Sequence, residues 1–172
     1  VDVRILEQVN IPDYNELKKF IDKGYHKLEF GKFKMGPLKL LADGSLGGRT
    51  ALLRKPYSDD PSNNGVSVFT QTELDDLIYL ADSNNMDVAI HAIGDKCIDM
   101  VIDAIYNSMS KTNRTHHRHS IIHNQLANKA QIKRMRDLNI GAQVQPIFLN
   151  SDISIVEDRL GDRINETYLF NT

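Results

Sequence analysis

Ser120-Ile121-Ile122-His123 repeats, 32 residues on, the pattern of Val88-Ala89-Ile90-His91: a short apolar run that ends in a histidine. A helix-like segment follows each run. Behind His91, Ile98, Val101, Ile102, Ile105 and Met109 recur at the spacing that lines one face of a helix; behind His123, Ile132, Met135 and Leu138 do the same. A buried strand that delivers a polar residue to a loop and then gives way to an amphipathic helix is a βα unit. Upstream, Thr70 and Glu73 have the spacing of a capping box, Leu74, Leu77, Ile78 and Ala81 form the buried stripe of the helix it opens, and Asn84-Asn85 closes that helix. Leu38 to Asp43 reads as another buried strand, reaching a loop at Asp43-Gly44. Val3 to Val9 reads as a strand, and Pro12, Asp13 and Glu16 mark the start of a helix with Tyr14, Leu17 and Ile21 on one face and Gly24 at its end. Downstream, Ile140 to Val144 begins a unit that stops at Pro146, and Asp152 is placed to cap a last helix running to Leu160-Gly161.

About five units of this kind predict an α/β fold, a parallel sheet covered by helices, either part of a (β/α)₈ TIM barrel or a doubly wound sheet. A complete barrel needs eight units and typically about 250 residues. The 172 residues therefore hold part of one barrel domain, spanning 1–172, with two open strand edges that favour self-association into a homo-oligomer. The chain begins at Val1 without an initiator Met or the layout of a secretion signal, as a piece of a longer protein does. From Gly44 to about Thr70 runs a loop rich in Gly, Ser, Pro, Asp and Asn. That exceeds the roughly 12 to 15 residues ordinary loops reach, and predicts a functional lid or disorder.

Composition narrows the partners. Hydrophobic residues make up 41% and charged residues 26%, the balance of a globular chain with a core, and the formal charge of −2 provides no positive field to draw nucleic acid or an anionic membrane. Small molecules or proteins remain as partners. A lone Cys97 cannot form an internal disulfide, and no apolar run approaches the roughly 20 residues that span a bilayer, so a cytoplasmic setting is expected.

His91 and His123 occupy equivalent places at the ends of successive strands, and in a barrel such ends converge on the face where active sites are built. Two imidazoles there can share a metal such as zinc, iron or nickel; the alternative is that each is a partly buried, hydrogen-bonded core histidine. Lys39 lies within Leu38-Lys39-Leu40-Leu41, where an ammonium is costly unless paired or modified. With a depressed pKa it can form a Schiff base, or take up carbon dioxide and become an anionic carbamate; alternatively its stem packs while its head reaches solvent.

Several blocks carry a resemblance. Lys39-Leu40-Leu41-Ala42-Asp43-Gly44-Ser45-Leu46-Gly47-Gly48-Arg49-Thr50-Ala51, then Pro56-Tyr57-Ser58-Asp59, Ile90-His91-Ala92-Ile93-Gly94-Asp95, His123-Asn124-Gln125 and Val144-Gln145-Pro146, in that order, closely resemble the amidohydrolase superfamily. Within it the chain is most similar to family 3, the branch that contains N-substituted formamide deformylases. The resemblance implies a barrel in which Lys39 is carboxylated and bridges two divalent metals, zinc foremost, with His91 and His123 as ligands. A metal-bound hydroxide would then attack an amide or formamide carbonyl of a small-molecule substrate, a non-peptide carbon–nitrogen bond. The family's His-x-His pair and its aspartate on the last strand have no counterpart among these residues, so the piece alone is expected to bind metal weakly or not at all and to be inactive. The family's usual glutamate before the second histidine is replaced by Ile122.

Other residues have two readings. Arg49 and Tyr57 either line the substrate pocket or pack the long loop onto the rim. Asp95 caps the next helix or orients a ligand from behind. His116-His117-Arg118-His119 reads as a solvated connection, able to take metal adventitiously, and Cys97 as a small buried hydrophobe. The Gly44–Thr50 loop lacks the Gly-Lys spacing of a phosphate-binding loop. Two other functions fit the chain: a Schiff-base lysine enzyme built on Lys39, and a barrel that has lost its metal and serves as a binding module.

Overall fold

The computed structural model describes residues 2–167. Strand β1 (Ile5–Asn10) is followed by α1 (Tyr14–Asp22), which starts where the Asp13 carboxylate accepts from Glu16 N at 2.9 Å. A two-residue strand β2 (Glu29–Phe30) then turns back antiparallel onto β3 (Phe33–Leu41). The sequence reading placed this third strand at Leu38 to Asp43; it begins five residues earlier. Gly36 and Pro37 hide that beginning, because proline cannot donate to a ladder. The sheet absorbs them as a bulge: between the pairs Glu7↔Met35 and Val9↔Leu38, two residues of β3 face Gln8 alone.

Then come α2 (Gln71–Ser83), β4 (Val88–Ala92), α3 (Asp95–Thr112), β5 (Ser120–His123), α4 (Lys129–Asp137) and β6 (Gly141–Gln143). The capping box at Thr70 and Glu73 forms as expected, and Asn128 and Gln131 build a second one. Past β6 the expected single helix is three short ones, α5 (Phe148–Asp152), α6 (Val156–Leu160) and α7 (Ile164–Thr167). Asp152 caps neither of the later two; it ends α5 and accepts from the Gln125 side chain.

The sheet order is β1-β3-β4-β5-β6, every neighbour on this path parallel. Strands that add on one side in chain order never reverse, and a doubly wound sheet requires a reversal. The helices pack on one face, where alternate residues Leu38, Leu40, Val88, Ile90, Ala92 and Ile121 meet Leu17, Leu74, Ile78, Ile98, Ile102 and Met135 in one core. The fold is thus α/β, a partial barrel with its inner face open. On that face Leu41 is 46% exposed and Leu6 61%.

The 44–70 loop is neither loose nor a bare lid. Leu46, Ala51, Leu53 and Tyr57 make a second apolar cluster with Ile93, Leu126, Val156 and Leu160. The Leu52 carbonyl accepts from Lys96 N and Cys97 N, so the loop itself caps α3. Gly94 is required there, since a Cβ would lie 2.0 Å from the Leu52 oxygen.

The histidine run is also not the solvated connection expected. His117 and His119 are 7% and 0% exposed and their rings stack at 4.3 Å. His119 Nδ1 accepts from Val88 N, and its Nε2 meets Asp82 Oδ1 at 3.0 Å. A buried carboxylate on α2 has drawn the ring inward, where the pair can be satisfied only together.

Candidate metal centre

In the ladders Lys39 pairs with Ala89, Leu41 with His91 and Ala92 with His123. Side chains alternate along a strand and paired residues of parallel neighbours point the same way. Lys39 and His91 therefore share the open inner face. His123, paired with Ala92, belongs by alternation on the helix side with Ile121. The backbone overrides this: φ is +71° at His123 and +50° at Asn124, a left-handed conformation that non-glycine residues adopt at a cost of order 1–2 kcal/mol. The outcome is an edge-to-face ring pair, His91 and His123 with centroids 4.5 Å apart and an interplanar angle of 77°.

Each ring has one nitrogen against an oxygen. His91 Nε2 is 2.9 Å from the Gly44 carbonyl and 3.2 Å from Asp43 Oδ1. His123 Nδ1 is 2.6 Å from Gln145 Oε1. Asp43 is buried, and its two oxygens also accept Ile93 N at 3.0 Å, Gly94 N at 2.8 Å and Leu52 N at 2.9 Å. Gly44 allows the turn behind it, because a Cβ would stand 2.1 Å from Thr50 Oγ1.

The electrostatics tie these residues to one spot. Burial lowers the Lys39 ammonium pKa below its ordinary value. Burial also lowers that of His123; the Gln145 contact opposes this, the charges of His91 and Lys39 add to it, and Asp43 opposes it again. The His123 ring thus feels the charges of His91, Lys39 and Asp43. Two anchored imidazoles and a partly desolvated amine are donors of the kind a divalent metal takes. Among the described residues no three His, Cys, Asp or Glu side chains gather into a metal-ligand cluster.

The remaining sequence candidates lie around this centre rather than in it. Tyr57 is 1% exposed and donates its hydroxyl to the Ala51 carbonyl at 2.7 Å, packing the loop. Arg49 is bidentate to Asp59, with Nε at 3.1 Å and a terminal nitrogen at 2.9 Å. Asp95 neither caps α3, whose N-cap is Gly94, nor orients a ring; it accepts from Arg54 N and Lys96 N. Cys97 is buried as expected, beside Asp43, and burial pushes its thiol pKa well up. Asp43 and Gln145 had gone unremarked as partners of the rings, although both lie in the blocks that carried the resemblance.

The description "amidohydrolase family" matches residues 6–170. The chain belongs to the amidohydrolase family. This amidohydrolase chain is 43% identical over 147 residues to a Bacillus subtilis (strain 168) protein named as an amidohydrolase, YtcJ, covering 85% of the chain and 27% of that protein. It is 38% identical over 141 residues to the Arabidopsis thaliana protein LONG AFTER FAR-RED 3, covering 80% and 24%. Crystal structures of uncharacterised metal-dependent hydrolases from Pyrococcus furiosus and Pyrococcus horikoshii OT3 superpose with a TM-score of 0.81 each, at 31% and 36% identity. They cover 98% and 96% of the chain, which spans 34% and 32% of theirs. The amidohydrolase chain thus corresponds to about a quarter of its sequence relatives and a third of its solved ones.

Proposed function

We propose that the chain is the central part of a metal-dependent hydrolase that cleaves a non-peptide carbon–nitrogen bond, an amide or an N-substituted formamide of a small molecule, with Lys39, His91 and His123 holding divalent metal, zinc foremost. The observation that carries this reading is the ring pair at 4.5 Å in which each imidazole has one nitrogen turned to a protein oxygen. Ligating histidines are held in that way, the second nitrogen engaged by a carbonyl or carboxylate that fixes tautomer and orientation. His91 would then ligate through Nδ1.

Lys39 supplies the anion. Its depressed pKa leaves more of the amine neutral. The Nζ lone pair adds to the carbon of carbon dioxide, an N–C bond forms, one proton leaves to solvent, and the resulting carbamate carries the negative charge. A divalent metal, when bound, supplies an acidified water and polarisation of the amide carbonyl. The chain's own residues hold the donors on a rigid sheet: Lys39 near the C-terminal end of β3, His91 near that of β4, and His123 as the last residue of β5.

Elemental analysis of the full-length parent protein and of its Lys39→Ala, His91→Ala and His123→Ala variants tests the reading. Near-stoichiometric divalent metal that falls in all three variants is expected, together with hydrolysis in a screen of amides and formamides. A metal-free protein whose variants behave as it does would overturn it.

A further inference from the structure

We infer that Asp43 is a positioning residue for this centre: its carboxylate keeps His91 protonated on Nε2 and presents Nδ1 as the donor, while the same carboxylate locks the loop after β3 onto the turn after β4. The inference rests on the metal-centre reading above.

The Asp43 side chain is fully buried, and its two oxygens meet three backbone N–H groups and the His91 ring, with the Cys97 thiol beside it. Oδ2 accepts Leu52 N and Gly94 N; Oδ1 accepts Ile93 N and lies 3.2 Å from His91 Nε2. The Gly44 carbonyl, at 2.9 Å from the same ring nitrogen, can only accept. The hydrogen bond to Gly44 places the imidazole proton on Nε2 and leaves the lone pair on Nδ1, and the Asp43 carboxylate 3.2 Å away favours a proton on that same nitrogen. An aspartate needed only to staple loop to turn would be satisfied by its three backbone N–H groups. The contact with His91 is the extra one, and it joins ring orientation to loop packing in a single side chain.

The Asp43→Asn variant separates the two roles. Its carbonyl oxygen stays where Leu52 N and Gly94 N need it, so the NH₂ replaces Oδ1. That group faces Ile93 N and offers a donor to His91 Nε2, which favours the Nδ1–H tautomer and occupies the electron pair a metal would use.

Nitrogen-15 NMR of the histidine-labelled, metal-free protein reads the tautomer, and zinc titration against a chelator reads affinity. The expected result is a single Nε2–H tautomer in the wild type, with the Nδ1–H form appearing in Asp43→Asn and zinc affinity falling about 10- to 100-fold. Folded Asp43→Asn with wild-type tautomer and wild-type affinity would overturn the inference. If Asp43→Asn does not fold, Asp43→Ser is read in its place, since it too removes the carboxylate beside Nε2: a rise of the Nδ1–H form supports the inference, and the wild-type tautomer overturns it, because the Gly44 carbonyl then suffices. The tautomer is read without metal, so it stands apart from the metal reading, which fails separately if His91→Ala binds zinc as the wild type does.

Discussion

Asp82 shows how much one buried side chain can hold. Burial by itself pushes its carboxyl pKa up, yet the hydrogen bonds from His119, Ser108, Arg114 and Thr112 together outweigh it and hold the group well below the usual 3.8. A carboxylate with a depressed folded pKa contributes stability that is present above its unfolded value and disappears as pH falls through the folded one. Urea denaturation followed from pH 7 downward should show this contribution intact above about pH 4 and fading below it. Asp82→Ala leaves the buried His119 Nε2 without its acceptor and Arg114 with Asp87 alone, and should cost about 3 kcal/mol at neutral pH, whereas Asp82→Ala and wild type should converge in stability in acid. Equal urea midpoints at pH 7 would contradict this. His123 carries its cost in the backbone instead: its left-handed φ is unfavourable locally and is retained because it brings the ring beside His91.

At the scale of elements, the helices start where local chemistry dictates and the loop is held by what lies behind it. Thr70→Ala removes the acceptor for Glu73 N and should lower stability by about 1 kcal/mol, measured by chemical denaturation. Gly94→Ala is a harsher change, since the new methyl meets the Leu52 backbone oxygen that caps α3. It should cost about 1–3 kcal/mol or more and raise amide exchange at Leu52, Lys96 and Cys97 before the rest of the sheet. Unchanged exchange at those amides would show that the loop can move aside freely. Central strand packing is less forgiving still: Ile90, fully buried between β3 and β5, should lose about 2–5 kcal/mol on truncation to alanine.

For the whole molecule, the open inner face and the outer edges of β1 and β6 set the behaviour of the isolated chain. Ile5 and Leu6 on β1 and Val144 beyond β6 are large apolar residues left exposed. Unpaired parallel edges with apolar side chains recruit other strands. Sedimentation velocity of the isolated chain should therefore show concentration-dependent species larger than the monomer, reduced in Leu6→Lys; a monomer at all concentrations would contradict it. The order of βα units, the helix faces, both ends of α2 and the donor types at the strand ends were legible in the sequence, because periodicity, capping and turn chemistry act over a few neighbouring residues. The start of β3 was hidden by Gly36-Pro37, whose bulge exists only against β1. The burial of His117 and His119, the fate of the long loop, the turn of His123 toward His91, and the partners Asp43, Gly44 and Gln145 were decided by tertiary structure. The bonds that hold the two rings and join Asp43 to the turn after β4 span from 22 positions, His123 to Gln145, to 51, Asp43 to Gly94. Local pattern carries no register, and register is what places one strand end beside the next.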